Sequence, residues 1–206
     1  MNKLILFIAL LFLSCNDSKI SSDTAVAIQP YNVMESDKTD NIKKAIVEYY
    51  GVSVIILPQR KLYKEAFINI KSPRYRADSI IKFQEHSLPD GADYILGLTE
   101  IDISTTKHNS DGSVKSPKWR YNDFGIMGLA YCPGKSCIVS GFRLKHKNEE
   151  LYFNRFKKVV IHELGHNFGL PHCPDKKCVM TDAVESIKTI DNAKPELCVK
   201  CKKAIQ

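Results

Sequence analysis

The sequence has no apolar run long enough to cross a bilayer. Its longest, Leu4 to Leu13, would rise only about 15 Å as a helix, half of a hydrocarbon core. It also lacks internal repeats and low-complexity tracts, which excludes solenoid and fibrous architectures. With 10 Gly and 9 Pro in 206 residues it has no surplus of chain breakers, so neither a collagen-like nor a disordered chain is indicated. Basic residues outnumber acidic ones 30 to 23, but no basic helix or arginine–aromatic pattern collects the excess. Nucleic acid is therefore not an expected partner. What remains is a length suited to one compact domain, expected to be a monomer. What is plentiful is cysteine. Seven is an odd number, and it asks for a division among lipid, disulfide, metal and catalysis.

A single lysine, Lys3, precedes the short apolar run, the pattern of a secretory leader. The run closes on Phe12-Leu13-Ser14-Cys15, which resembles the lipobox of bacterial lipoproteins. Residues 1–14 are thus expected to be removed, and Cys15 to carry the lipid of an exported, membrane-anchored protein. Residues 15–39 are polar and without sustained period. They read as a tether that precedes a domain at 40–206.

From Asp40 onward helical and strand patterns alternate. Asp40 is placed to cap a helix bearing Ile42, Ala45, Ile46 and Tyr49, ended by Gly51. Val52 to Leu57 reads as a buried strand, Ala66 to Ile70 as a short one, and residues 75–87 as a helix. Tyr94 to Ile103 is the next strand, and Ser104 to Asp123 a long surface loop whose Trp119, Arg120 and Tyr121 could shape a cleft entrance. Gly125–Tyr131 and Ile138–Leu144 flank Cys132-Pro133-Gly134-Lys135-Ser136-Cys137, a hairpin turn across which Cys132 and Cys137 suit a disulfide. A long helix follows, from about Glu149 to Asn167. The fold class is α/β (α+β), sheet and helices in one domain.

That helix ends in His162-Glu163-Leu164-Gly165-His166-Asn167-Phe168-Gly169-Leu170-Pro171-His172. A spacing of four stacks His162 and His166 on one helix face, within reach of one metal. Glu163 lies about 100° round the helix, where it reaches a metal-bound water as general base. Gly169 can take a positive φ, turning the chain so that His172 supplies a third nitrogen. Three protein ligands leave a fourth position open, as catalytic zinc requires. The chemistry this predicts is amide hydrolysis. His86, His108 and His146 stand alone in polar contexts and read as solvated.

Cys173-Pro174-Asp175-Lys176-Lys177-Cys178-Val179-Met180 follows at once, and Cys198-Val199-Lys200-Cys201 comes some twenty residues later. Two pairs at this separation have the spacing of a four-thiolate zinc site. The register from His162 to Cys201 resembles the archaemetzincins, a branch of the metzincin zinc peptidases. Looser similarity runs through Ile138-Val139-Ser140, Arg143-Leu144 and Tyr94 to Thr99. The resemblance implies catalytic zinc on His162, His166 and His172 with Glu163 as general base. It also implies structural zinc on Cys173, Cys178, Cys198 and Cys201. Met180 would be the Met-turn residue under the catalytic zinc. The implied fold is a metzincin-like domain, a twisted mixed sheet backed by helices. A small C-terminal subdomain would follow Gly169, with a last helix from about Pro195. A peptide or protein substrate would lie along an edge strand, for which Gly125 to Tyr131 is the candidate. Two alternatives stay open. In an oxidising compartment the four cysteines could form two disulfides instead, and the protein could be a catalytically silent, zinc-stabilised binding lipoprotein.

Overall fold

The structure, a computed structural model, describes residues 20–182 and 186–205. Cys15 and the leader lie outside them. The chain begins with strand β1 (Ala25–Pro30), helix α1 (Ser36–Tyr50) and strand β2 (Ser53–Ile56). Strands β3 (Phe67–Asn69) and β4 (Pro73–Arg76) lead into α2 (Ala77–His86), then β5 (Tyr94–Thr99) and β6 (Ile103–Thr105). A single turn, α3 (Lys118–Tyr121), precedes β7 (Phe124–Ile126), β8 (Gly128–Ala130) and β9 (Ser136–Ser140). The chain closes with α4 (Glu149–Asn167), α5 (Ile187–Asn192) and α6 (Val199–Ile205).

Two mixed sheets result. The larger has the order β2-β1-β5-β9-β8, parallel except for β8, which runs antiparallel to β9 at the edge. The smaller has the order β3-β4-β6-β7. Alternation along the strands of the larger sheet sorts its two faces. Cys137 and Val139 of β9 point to the side covered by α1 and α4, with Ile42, Ile46, Phe156 and Leu164. Ile138 points to the other side, against Ala77, Ile80 and Ile81 of α2. Helix α4 follows the sequence reading closely. The Asn148 side chain accepts the backbone N–H of Leu151 at 2.9 Å, a cap worth about 1 kcal/mol.

The segment before Asp40 differs from expectation. Ala25–Pro30 is no tether but the inner strand between β2 and β5, buried along nearly its whole length. A strand covered on both faces shows no alternation of apolar and polar residues, so it lacks the period that marks a half-buried strand. Its one polar member, Gln29, is buried with its amide donating to the carbonyls of Pro30 (3.0 Å) and Pro58 (2.9 Å). Helix α1 accordingly starts at Ser36 rather than after Asp40. The strand expected to be buried at Val52 to Leu57 is instead the sheet edge, with Ile55 and Ile56 exposed. Gly125 to Tyr131 bends at Met127, so β7 belongs to the smaller sheet and β8 to the larger.

The Cys132–Cys137 bridge is not formed, and both are free thiols. Cys137 pairs in register with Ala130 and is buried under α4, whereas Cys132 lies beyond the last pair and is exposed. Trp119 is also away from the cleft. It stands 75% exposed beside Ile70, Lys71 and Val114, while Thr105 and Lys107 are the members of that loop which reach the site.

Candidate active site and metal centres

The C-terminal half of α4 builds the site. His162, Glu163 and His166 stand on its last turns, and the chain turns back at Gly169 with φ +89°. That turn brings His172 round, so that one nitrogen from each histidine lies within 4.8 Å of the others. His162 Nδ1 is 2.8 Å from the carbonyl of Val179, and His166 Nδ1 is 2.7 Å from that of Leu170. A carbonyl only accepts, so both Nδ1 atoms carry the proton and donate it. Burial pushes the His162 imidazole down to about 4, with His166 adding to the effect, and burial lowers His166 as well. Both rings are therefore neutral at pH 7, and their Nε2 atoms present bare lone pairs. Those lone pairs face each other at 3.0 Å, an arrangement that repels unless a cation stands between them. The donor set thus fits a metal, and neutral imidazoles with an exposed third partner fit zinc.

Met180 is fully buried beneath this centre. A Cβ on Gly165 would come within 2.5 Å of its sulfur, so only glycine lets the thioether pack against the helix between His162 and His166. Glu163 is covered by β8, where a Cβ at Gly128 would lie 2.6 Å from Oε1. Burial pushes its carboxyl up to about 8, opposed by the nearby Lys107 ammonium. A carboxyl near neutrality can take a proton and give it back at the working pH.

Cys173, Cys178, Cys198 and Cys201 converge in a second group. Cys173 Sγ lies 3.7 Å from Cys198 Sγ, and Cys178 Sγ lies 3.9 Å from Cys201 Sγ. A disulfide would need about 2.05 Å. Four thiolates at about 2.3 Å from one zinc would stand about 3.8 Å apart, which these separations match. The Cys198 N–H donates to Cys178 Sγ at 3.3 Å, and backbone hydrogen bonding from Cys201 pulls the Cys198 thiol down to about 7. The cluster therefore favours a metal over disulfides. It adjoins the histidines directly, since Cys173 follows His172 and the Cys173 N–H donates to the Met180 carbonyl at 2.8 Å.

A cleft runs between β8 and the segment after His172. Met127, Leu129, Val159 and Val179 line it with the three histidines and Glu163, and Lys107 and Lys158 add positive charge. Sequence reasoning missed both lysines, because nothing in their spacing marks them. It also missed Val179 and Leu170 as orienting groups, since a backbone carbonyl leaves no trace in residue identity. His86, His108 and His146 are exposed and apart from the site.

Comparison with known proteins agrees with this geometry. The model of peptidase family M54 matches residues 18–206. An archaemetzincin of Methanopyrus kandleri is 31% identical over 173 residues, covering 84% of this chain and 89% of its own. One from Methanocaldococcus jannaschii is 30% identical over 187 residues, covering 88% and 92%. The crystal structure of the Methanopyrus kandleri archaemetzincin superposes with a TM-score of 0.72 at 29% identity, covering 90% of this chain and 94% of that one. An archaemetzincin structure from Archaeoglobus fulgidus shares the fold with a TM-score of 0.69 at 24% identity, covering 88% and 100%.

Proposed function

Since this chain belongs to peptidase family M54 and is thereby a zinc metallopeptidase, we propose that it hydrolyses peptide bonds with Glu163 as general base. His162, His166 and His172 would hold the catalytic zinc. Zinc bound there supplies a Lewis acid that polarises a carbonyl and makes hydroxide available near neutral pH. Glu163 takes the proton of the attacking water and returns it to the departing amine. Val179 and Leu170 hold the two helix histidines in the ligating tautomer. Strand β8, at the sheet edge, offers its backbone to an extended peptide. A second zinc on the four cysteines has no open position and is structural. The observation that carries this reading is the pair of fixed tautomers with lone pairs converging 3.0 Å apart. Incubation with a mixed peptide library should give cleavage that a chelator abolishes and zinc restores. A protein that holds two zinc ions and cleaves nothing would be the silent binding lipoprotein instead.

The same reading takes Cys15 as the lipidated first residue of an exported, membrane-anchored monomer, with Leu4 to Leu13 as leader. Cys15→Ser in the native host should abolish fatty-acid labelling and release the protein from membranes. Continued labelling of that variant would refute the anchor.

A further inference from the structure

The cleft carries a charge pattern that peptide hydrolysis as such does not need. Among the described residues that line it, Glu163 is the sole acid, and its carboxylate is committed to proton transfer. Lys107 and Lys158 are the two bases. Lys158 sits one helical turn before His162, so it shares the face that carries the first ligand. Beside it the wall is apolar, made by Val159, Val179, Ile190 and Ala193. The Lys158 ammonium donates to the carbonyls of Ile190 (2.9 Å) and Asp191 (3.4 Å) at the end of α5. Arg155 holds both oxygens of the Asp191 carboxylate at 2.7 Å, so Asp191 attracts Lys158 without pairing with it directly. Lys158 thus meets carbonyl dipoles, and an ammonium has three protons to offer.

An apolar wall ending in a cation suits a side chain with a short methylene stem and a terminal carboxylate. We infer that this cleft selects peptides with a glutamate-like residue beside the scissile bond, its carboxylate received by Lys158. The inference deepens the peptidase reading and rests on it. Lys107, across the cleft, adds attraction of the same sign. Among the described lining residues Glu163 is the sole acid, and beyond them the Asp182 carboxylate lies 3.9 Å from His172 Nδ1. Bonds flanked by acidic residues are the preferred substrates.

The test uses the zinc-loaded full domain and quenched fluorescent peptides that differ in one residue beside the cleaved bond: Glu, Gln, Leu or Lys. Each is made on both sides of that bond, with free and acetylated N-termini. On one side Glu should exceed Gln by about tenfold in kcat/KM, and Lys should be poorest. The Glu-over-Gln preference should persist whether the N-terminus is free or acetylated. Lys158→Glu should reverse the order to favour Lys, which a purely structural loss would not do. Lys158→Met, with zinc content and melting temperature measured alongside, should bring the Glu-to-Gln ratio near one should the charge reversal not fold. Equal turnover of Glu and Gln peptides by the wild type overturns the inference and leaves the peptidase intact. So does an unchanged profile in active Lys158 variants. Failure to cleave any peptide with zinc bound overturns the peptidase reading, and the inference falls with it.

Discussion

Glu163→Gln should keep its zinc and lose turnover by about 10²- to 10⁴-fold, the usual contribution of a positioned proton-transfer group. The amide fills the same space beneath Gly128, so His162, His166 and His172 keep their places. Metal content measured on the same preparation separates this result from simple loss of the site. Wild-type turnover by this variant would end the general-base assignment. A second readout needs no substrate. In the metal-free protein the Glu163 carboxyl sits at about 8, against about 4.5 when unfolded, because burial penalises its charge. The folded state therefore binds more protons than the unfolded one between those values, and stability is lost as pH rises through them. The buried histidines contribute alike to wild type and variant, so the difference between the two slopes isolates the carboxyl. Over that step the wild type should lose up to about 1.4 kcal/mol per pH unit, and Glu163→Gln should remove that share of the slope. Chemical denaturation at the two pH values would measure it.

Cys201→Ser should do more damage, and to both candidate metal centres. Cys201 is buried in α6 and closes the four-thiolate group. That group pins the segment from Cys173 to Met180, which places His172, the carbonyl that orients His162, and the methionine floor. The Val179 N–H also donates to the Glu196 carbonyl at 2.9 Å, tying this segment to the chain just before the second cysteine pair. Structural zinc contributes on the order of 10 kcal/mol to small folds. Its loss should lower the melting temperature by more than about 10 °C. Zinc content should fall from two ions per chain to one or none. A variant that melted with the wild type and still bound two ions would show the cysteines to be incidental.

Helix α4 and its histidines were legible because every signal there is local. The apolar period along the helix, the four-residue histidine spacing and the glycine at the turn are close neighbours in sequence. Strand β1 was not legible, for two reasons. Ala25 to Ile28 is covered on both faces, so it shows no alternation, and its partners Ser53–Ile56 and Tyr94–Leu98 are remote in sequence. Helix α5 escaped for a related reason. Six residues carry too weak a period, and its place depends on Ile190 in the core and on the ion pair between Arg155 and Asp191. The cleft lysines escaped too. Lys107 comes from a remote loop that only the fold brings to Glu163, whereas Lys158 stands on the same helix but carries no motif that would mark it.

The early packing of the chain bears on where such an enzyme could work. Ile20 already donates its backbone N–H to Ile205 at the end of α6, and β1 begins five residues later. With a lipid on Cys15, five residue steps connect bilayer and folded domain, a leash of at most about 18 Å. The end of the domain so leashed is α6, which displays Lys200, Lys202 and Lys203 to solvent. Each such lysine close to an anionic surface adds roughly 1 kcal/mol of attraction. An enzyme held in this way cannot search a compartment. So anchored, it would cut what comes to the membrane face, such as neighbouring anchored proteins and the chains that emerge beside them.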